Sequence, residues 1–229
     1  MRRALLVMAK RPFPGQTKTR LTPFFSVEAA AELYACFLRD VLALVRQVPG
    51  VTPFVAYAPV AEETAVYFRE LVPDFELIAQ VGETLGERLD TVLSGCLASG
   101  FDQVAAINSD SPTLPVDYLI DAFARLDEPE TDVVLGPCED GGYYLIGWKR
   151  PYPRLVREVK MSTPHVLADT LAIAAADNLR VSLLPPWYDV DELTELKRLR
   201  HALLSGKEQA LHSAKFFEGR NNDESTYAI

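Results

Sequence analysis

Short apolar segments and longer segments with helical periodicity alternate along almost the whole sequence. Strands are predicted at 3–9, 51–58, 75–81, 103–108, 132–136, 143–148 and 181–184. Helices are predicted from Ser26 to the Pro49-Gly50 pair, at 60–71, after Gly86 to about Ser99, from Pro115 onward, at 163–177 and at 191–204. Such alternation predicts an α/β fold, in which helices cover both faces of a mostly parallel sheet.

The chain is long enough for one domain with a sizeable core, and we assign residues 1–204 to that domain. Residues 205–229 are polar and are predicted to form a partly flexible tail, with the last ten residues weakly ordered. No apolar run approaches the roughly 20 residues of a membrane span. The three cysteines are odd in number and widely spaced, which favours a reducing compartment and a cytoplasmic protein.

Basic residues are concentrated near the start of a chain that is acidic overall. The first 27 residues contain six of the 23 Lys and Arg residues and no acidic residue, although the formal net charge is -9. The net charge disfavours general nucleic-acid binding, because the basic patch is local and small. The composition fits a monomer or a small homo-oligomer.

A basic loop follows the first predicted strand. Residues 10–20 read KRPFPGQTKTR, and the candidate phosphate-binding residues are Lys10, Arg11, Gly15, Lys18 and Arg20. The GxxxxGK[ST] spacing of a Walker loop is absent. The alternative interpretation is a solvated basic loop without a ligand.

Two acidic segments also follow predicted strands. Asp110, in the segment NSDSP, is a candidate ligand for Mg²⁺, which combines one or two carboxylates with water and phosphate oxygens. Asp189 or Asp191, in WYDVDELTE, is the candidate second carboxylate. The alternatives are a turn before Pro112 for the first segment and a cap of the last helix for the second.

A glycine-rich segment lies between two predicted strands. Asp140, Gly141 and Gly142 form a hairpin turn on one interpretation. On the other, the open backbone amides bind an acceptor substrate and Asp140 acts as its general base. Weaker candidates are Gly86 and Arg88 for the nucleotide and Ser162 for the acceptor, although Ser162 also fits a helix N-cap.

The order of these segments resembles a bacterial family of nucleotide-diphospho-sugar transferases, known as domain of unknown function 2064. The matching segments are 10–21, 81–88, 108–114, 135–147, 162–167 and 189–191. The resemblance covers about residues 4 to 200 and implies the Rossmann-like glycosyltransferase-A fold. It also implies that Asp110 is the metal-binding aspartate and Asp191 a second one. Asn108 departs from the Asp-x-Asp motif of many such glycosyltransferases.

Residues and resemblance together predict a transferase that uses a nucleotide-diphospho-sugar donor, Mg²⁺ or Mn²⁺ and an unidentified acceptor. Asp110, with Asp191 or Asp189, would hold the metal. Lys18 and Arg20 would stabilise charge on the leaving phosphate. One alternative is a nucleotidyltransferase that releases pyrophosphate from a nucleoside triphosphate. A second, favoured by Asn108, is a non-catalytic nucleotide-binding module.

Overall fold

The structure is a computed structural model, and it describes residues 1–219. The strands are β1 (Arg3–Lys10), β2 (Val51–Ala58), β3 (Glu76–Ala79), β4 (Gln103–Ile107), β5 (Val133–Pro137), β6 (Tyr143–Trp148) and β7 (Val181–Leu183). The helices are α1 (Val27–Val45), α2 (Glu62–Leu71), α3 (Leu85–Ala98), α4 (Val116–Asp127), α5 (Arg154–Arg157), α6 (Val166–Ala176), α7 (Leu193–Leu204) and α8 (Leu211–Glu218). A short 3-10 turn is formed by Thr19–Leu21.

The seven strands form one sheet in the order β3-β2-β1-β4-β6-β5-β7. All neighbouring strands are parallel except β6, which runs antiparallel to both β4 and β5. The central strand β1 is apolar on both faces, and its residues Ala4 to Val7 are fully buried. A continuous apolar run of this kind is typical of a parallel strand that is covered on both sides.

Helices cover both faces of the sheet. On one face, Ala4, Leu6 and Ala106 belong to an apolar cluster that includes buried residues of α3, α5 and α6. On the other face, the Tyr57 ring lies 6.4 Å from the ring of Phe68 in α2. The mostly parallel α/β sheet predicted from the sequence is therefore confirmed.

Several elements differ in extent from the predictions. The third strand is shorter than 75–81, and α6 begins three residues later than predicted, with His165 at its N-cap. Pro115 is the N-cap of α4 and not its first helical residue. The short helix α5 and the helix α8 were not predicted.

The chain divides into two compact units. The first, called here the sheet unit, consists of Met1–Arg11, Val45–Asn108 and Pro115–Trp187 and contains all seven strands. The second, called the helical unit, consists of Pro12–Leu44, Ser109–Leu114 and the described residues 188–219. The predicted weak order of residues 220–229 lies outside the described residues. Within residues 1–219, none of the helices combines the length and the apolar composition that a membrane crossing requires.

Candidate functional site

The basic loop in the helical unit turns sharply at Lys18. The Lys18 backbone is left-handed, with φ 49° and ψ 40°, and the 3-10 turn Thr19–Leu21 begins directly after it. Just before it, the buried Thr17 side chain donates a hydrogen bond to the Phe13 carbonyl oxygen at 3.2 Å. A left-handed backbone is uncommon for residues other than glycine. The fold of this loop therefore sets the direction in which the Cα–Cβ bond of Lys18 points.

The Lys18 ammonium lies between two carboxylates from distant parts of the sequence. Its Nζ is 2.5 Å from Asp110 Oδ1 and 2.7 Å from Asp191 Oδ1. Nζ also donates a hydrogen bond to the Val190 carbonyl oxygen at 2.6 Å. Since a lysine ammonium has three N–H donors, these three oxygens account for all of them.

Burial and charge act in opposite directions on Lys18. Its side chain is only 3% exposed, and this desolvation alone would lower the pKa of the ammonium. The charges of Asp110 and Asp191 outweigh it, so the pKa of Lys18 is raised above its usual value. The ammonium is therefore charged at neutral pH, and the three side chains together carry one excess negative charge.

Backbone and buried polar contacts position the two carboxylates. The Val190 N–H donates to the Asp110 carbonyl oxygen at 2.9 Å, which joins the two acidic segments directly. On one side of Asp110, Ser109 Oγ lies 2.8 Å from the hydroxyl of Tyr34 in α1. On the other, Thr113 Oγ1 lies 3.3 Å from the Tyr188 hydroxyl. These hydrogen bonds hold the backbone on both sides of Asp110 and next to Asp191, so they position the two carboxylates.

The other candidates of the helical unit are more exposed. The Arg20 side chain is 66% exposed, and its Nη1 lies 3.5 Å from Glu192 Oε1. Gly15 is exposed and has a positive φ of 74°. Asp189 is partly buried, and its two neighbours in the sequence, Tyr188 and Val190, are buried. Neither Asp189 nor Asp191 is the N-cap of α7, because Glu192 holds that position and forms a capping box with Glu195.

In the sheet unit, Asp140, Gly141 and Gly142 form the turn between β5 and β6. The Gly142 N–H donates to Asp140 Oδ1 at 2.8 Å, and the Gly141 N–H donates to the Cys138 carbonyl oxygen at 3.1 Å. Gly141 has a φ of 91°, and a Cβ there would collide with the Pro164 carbonyl oxygen. The hairpin turn is therefore present, and the Asp140 carboxylate is exposed in it. Its role toward an acceptor stays a prediction.

The remaining candidates also lie in the sheet unit. Arg88 Nε donates to the Gly82 carbonyl oxygen at 2.9 Å, and Gly86 packs against the backbone of Val156. The Arg11 guanidinium carbon lies 5.6 Å from the centroid of the Tyr67 ring, and Lys10 is exposed. These contacts give Arg88 and Gly86 local structural roles, and their binding of a nucleotide stays a prediction.

Ser162 was predicted to bind the acceptor, which stays a prediction, whereas the Val190 carbonyl oxygen was not predicted at all. Ser162 is exposed with a φ of 61°, and it is not the N-cap of α6. The Val190 carbonyl oxygen contacts Lys18 although no sequence motif pointed to it. A backbone oxygen carries no residue-type signal, so only its place between Asp189 and Asp191 could have drawn attention to it.

Solved structures with the same fold are numerous. A crystal structure named "putative nucleotide-diphospho-sugar transferase" from Desulfovibrio desulfuricans G20 is 28% identical and has a TM-score of 0.88. The alignment covers 97% of this chain and 96% of that one. The chain is also similar to a CMP:2-keto-3-deoxy-manno-octonic acid synthetase complexed with CTP, at 14% identity and a TM-score of 0.56, covering 90% of this chain and 100% of that one.

A mannosyltransferase from Pyrobaculum calidifontis, PcManGT, in complex with GDP-Man and Mn²⁺ has 14% identity and a TM-score of 0.52. The alignment covers 97% of this chain and 64% of that one. At such low identity, the synthetase and the mannosyltransferase establish the shared fold. Together with the Desulfovibrio structure, they confirm the predicted glycosyltransferase-A fold.

A comparison with curated proteins finds no match. The profile of the family described as "Uncharacterized protein conserved in bacteria (DUF2064)" matches residues 41–163, more than half of the chain. The resemblance drawn from the sequence motifs is thus confirmed, and the chain belongs to the DUF2064 family.

Proposed function

We propose that this protein is a metal-dependent transferase that acts on a nucleotide-diphospho-sugar and transfers the glycosyl group to an acceptor. Its place among the transferase enzymes follows from the similarity to the Desulfovibrio transferase over nearly the whole of both chains. The metal and the donor rest on one observation. Asp110 and Asp191, 81 positions apart in sequence, meet on a single cation, the Lys18 ammonium.

The residues present suit a divalent metal. Mg²⁺ and Mn²⁺ prefer carboxylate oxygens and keep several sites for water and phosphate. The Asp110 and Asp191 side chains are 30% and 44% exposed, so solvent reaches both. The Lys18 ammonium lies between them, so the pair already binds one positive charge. Asp110 and Asp191 would therefore hold the metal, and Asp189 stays a predicted additional ligand.

In this proposal, each residue has a defined task. The metal, when bound, neutralises charge on the donor phosphates. Asp110 and Asp191 would hold it, and the backbone hydrogen bond from the Val190 N–H to the Asp110 carbonyl oxygen keeps their two segments together. Arg20 is a largely exposed cation that would bind the departing nucleoside diphosphate. Asp140 would position or deprotonate the acceptor hydroxyl.

Nucleotidyl transfer is the second candidate. The same carboxylate pair would hold the metal that binds the phosphates of a nucleoside triphosphate, and pyrophosphate would leave in place of a nucleoside diphosphate. The observation that supports this candidate is the similar fold of the synthetase that was solved in complex with CTP. A non-catalytic nucleotide-binding module is the third candidate, and Asn108 in place of an aspartate is the feature that favours it.

Product analysis separates the three candidates. The protein is incubated with Mg²⁺ or Mn²⁺ and a panel of sugar nucleotides and nucleoside triphosphates, and the released products are identified by mass spectrometry. A released nucleoside diphosphate supports glycosyl transfer, and released pyrophosphate supports nucleotidyl transfer. Tight metal-dependent binding without any product supports the non-catalytic module.

The substitution Asp110→Asn tests the metal site directly. We expect it to weaken Mn²⁺-dependent binding of a nucleoside diphosphate at least about tenfold, which corresponds to about 1.4 kcal/mol. The reason is that the amide keeps the shape of the side chain but removes its charge. The measurement is calorimetric titration, with circular dichroism to verify folding.

The matched control is Asp117→Asn, which removes the same charge from an exposed position in the first turn of α4. This control should bind like the wild type. Equal affinity of wild type and Asp110→Asn would remove Asp110 from the site and with it the proposed metal dependence.

A further inference from the structure

The arrangement around Lys18 is incompatible with its ammonium contacting a donor phosphate at the same time. Asp110, Asp191 and the Val190 carbonyl take its three N–H donors, and the side chain is 3% exposed. To reach a phosphate oxygen, the ammonium has to leave at least one of these partners.

A divalent metal between the same carboxylates meets a related difficulty. With Lys18 in place, the cluster has one excess negative charge, whereas adding a divalent cation beside the ammonium would give one excess positive charge at short range. With the metal in place and the ammonium withdrawn, the two carboxylates are neutralised. Since Lys18 is the buried member and the carboxylates are partly exposed, a metal from solvent reaches the carboxylates first.

We propose that the Lys18 ammonium and a divalent metal hold the Asp110–Asp191 pair in turn, so that metal binding releases Lys18 toward the donor phosphates. The proposal rests on the metal site of the proposed function and adds the exchange to it. Before the donor arrives, Lys18 keeps the two carboxylates together and prevents their mutual repulsion. When the metal takes over that task, the ammonium becomes available as a second positive charge.

The surroundings of Lys18 support such a movement. The ammonium lies 5.5 Å from the ring centroid of Phe37, a fully buried residue of α1, and an aromatic face stabilises a cation without fixing its direction. The lysine side chain has four methylene groups joined by rotatable bonds, so Nζ can move while the left-handed backbone at Lys18 stays in place.

The first test measures Mn²⁺ binding in the absence of nucleotide, by electron paramagnetic resonance of the free ion. Lys18→Met removes the competing charge and keeps an unbranched side chain only one atom shorter, so we expect it to bind Mn²⁺ at least about tenfold more tightly than the wild type. Lys18→Arg keeps the charge and should bind within about threefold of the wild type. Lys197→Met is the matched control, since Lys197 is exposed on α7 and its loss changes the net charge equally.

Unchanged or weaker Mn²⁺ binding by Lys18→Met would overturn the exchange. If Asp110→Asn still weakens the metal–nucleotide complex in that case, the metal site stands and only the exchange is wrong. If Asp110→Asn has no effect either, the proposed function fails as well.

A second measurement uses the unaltered protein and does not depend on how a variant folds. Lys18 is labelled with an amine-acetylating reagent, and the rate is followed by mass spectrometry with and without millimolar Mg²⁺. We expect Mg²⁺ to accelerate acetylation of Lys18 several-fold and to leave the exposed Lys197 unchanged. A Lys18 rate that does not respond to Mg²⁺ contradicts the exchange.

Discussion

Gly86 shows how a single residue can serve packing where a ligand was expected. It lies in the first turn of α3, inside the capping box that Thr84 forms with Glu87. A Cβ at this position would collide with the Val156 carbonyl oxygen at the end of α5. The absence of a side chain therefore allows α3 and α5 to approach closely.

Gly86→Ala should lower the free energy of unfolding by about 1–3 kcal/mol, because backbone atoms must move to accommodate the methyl group. Urea denaturation monitored by circular dichroism measures the change. In the same helix, a Cβ at Gly95 would have Ile78 Cδ1 as its nearest neighbour at 3.9 Å, so Gly95→Ala is the control and should be neutral or stabilising.

If Gly86→Ala is as stable as the wild type but binds nucleotide more weakly, Gly86 has the binding role predicted from the sequence. That outcome would contradict the packing role.

At the residue scale, the candidate site residues were found because their segments directly follow predicted strands. This position identified Asp110 and Lys18 as candidates, and the structure places their charged atoms in contact. The contact with Val190 could not be predicted, since it depends on a backbone oxygen. The number of oxygens that accept hydrogen bonds from the Lys18 ammonium also depends on the tertiary structure. The spacing of residues in the sequence contains no information on that number.

At the scale of elements, an ion pair joins Asp132, which directly precedes β5, to Arg180, which directly precedes β7. Arg180 Nε lies 2.8 Å from Asp132 Oδ2, and the Arg180 N–H donates to the same oxygen at 2.9 Å. Hydrogen bonding from the Arg180 side chain, and less so its charge, lowers the pKa of Asp132 to about 2. β7 has three residues, so this pair is an important part of its attachment to the sheet.

The Asp132 pair predicts a pH dependence of stability. Because the pKa is depressed in the folded state, the stabilisation is complete above the unfolded value of about 3.9 and is lost as the pH falls toward about 2. We therefore expect Asp132→Asn to be less stable than the wild type at pH 6, and the difference to shrink between pH 4 and pH 2.

Urea denaturation across this pH range measures the difference. Glu76→Gln, at an exposed position of β3, is the control and should show a much smaller trend. A difference for Asp132→Asn that stays constant down to pH 2 contradicts the role of the pair.

Elements with a strong apolar pattern were predictable, and short or polar ones were not. The strand β1 and the helix α1 have continuous patterns, so their positions followed from the sequence. The helix α5 has only four residues, too few to show a period. The helix α8 lies in a polar stretch, and its burial depends on contacts with residues almost the whole chain length away.

At the scale of the whole molecule, α8 gives residues 205–219 a part in the helical unit. Asp40 of α1 accepts hydrogen bonds from the backbone N–H groups of His212 and Ser213 at 2.9 and 2.8 Å. The Phe216 ring lies 6.0 Å from that of Phe25 and is 4% exposed. The helix is thus held at its N-terminus by a carboxylate and along its length by aromatic packing.

Phe216→Ala should lower the free energy of unfolding by about 3–5 kcal/mol, since it leaves a cavity beside Phe25. Leu211→Ala, at a 62% exposed position of the same helix, is the control and should change it by less than about 0.5 kcal/mol. Chemical denaturation provides both values. Equal stability of Phe216→Ala and the wild type would contradict this packing and support the partly flexible tail that was predicted from the sequence.

The reversed strand β6 has a consequence for how this fold can change. Because β6 returns directly from β5, the hairpin at residues 138–142 emerges at the same edge as the carboxyl ends of β4 and β5 without an intervening helix. The exposed side chains of this turn can therefore be exchanged without a change in its backbone bonds to Trp187 and to Leu167 of α6, provided that Gly141 is retained against Pro164. The surface that the turn presents at this edge of the sheet can thus change, in nature or by engineering, through the replacement of a few side chains.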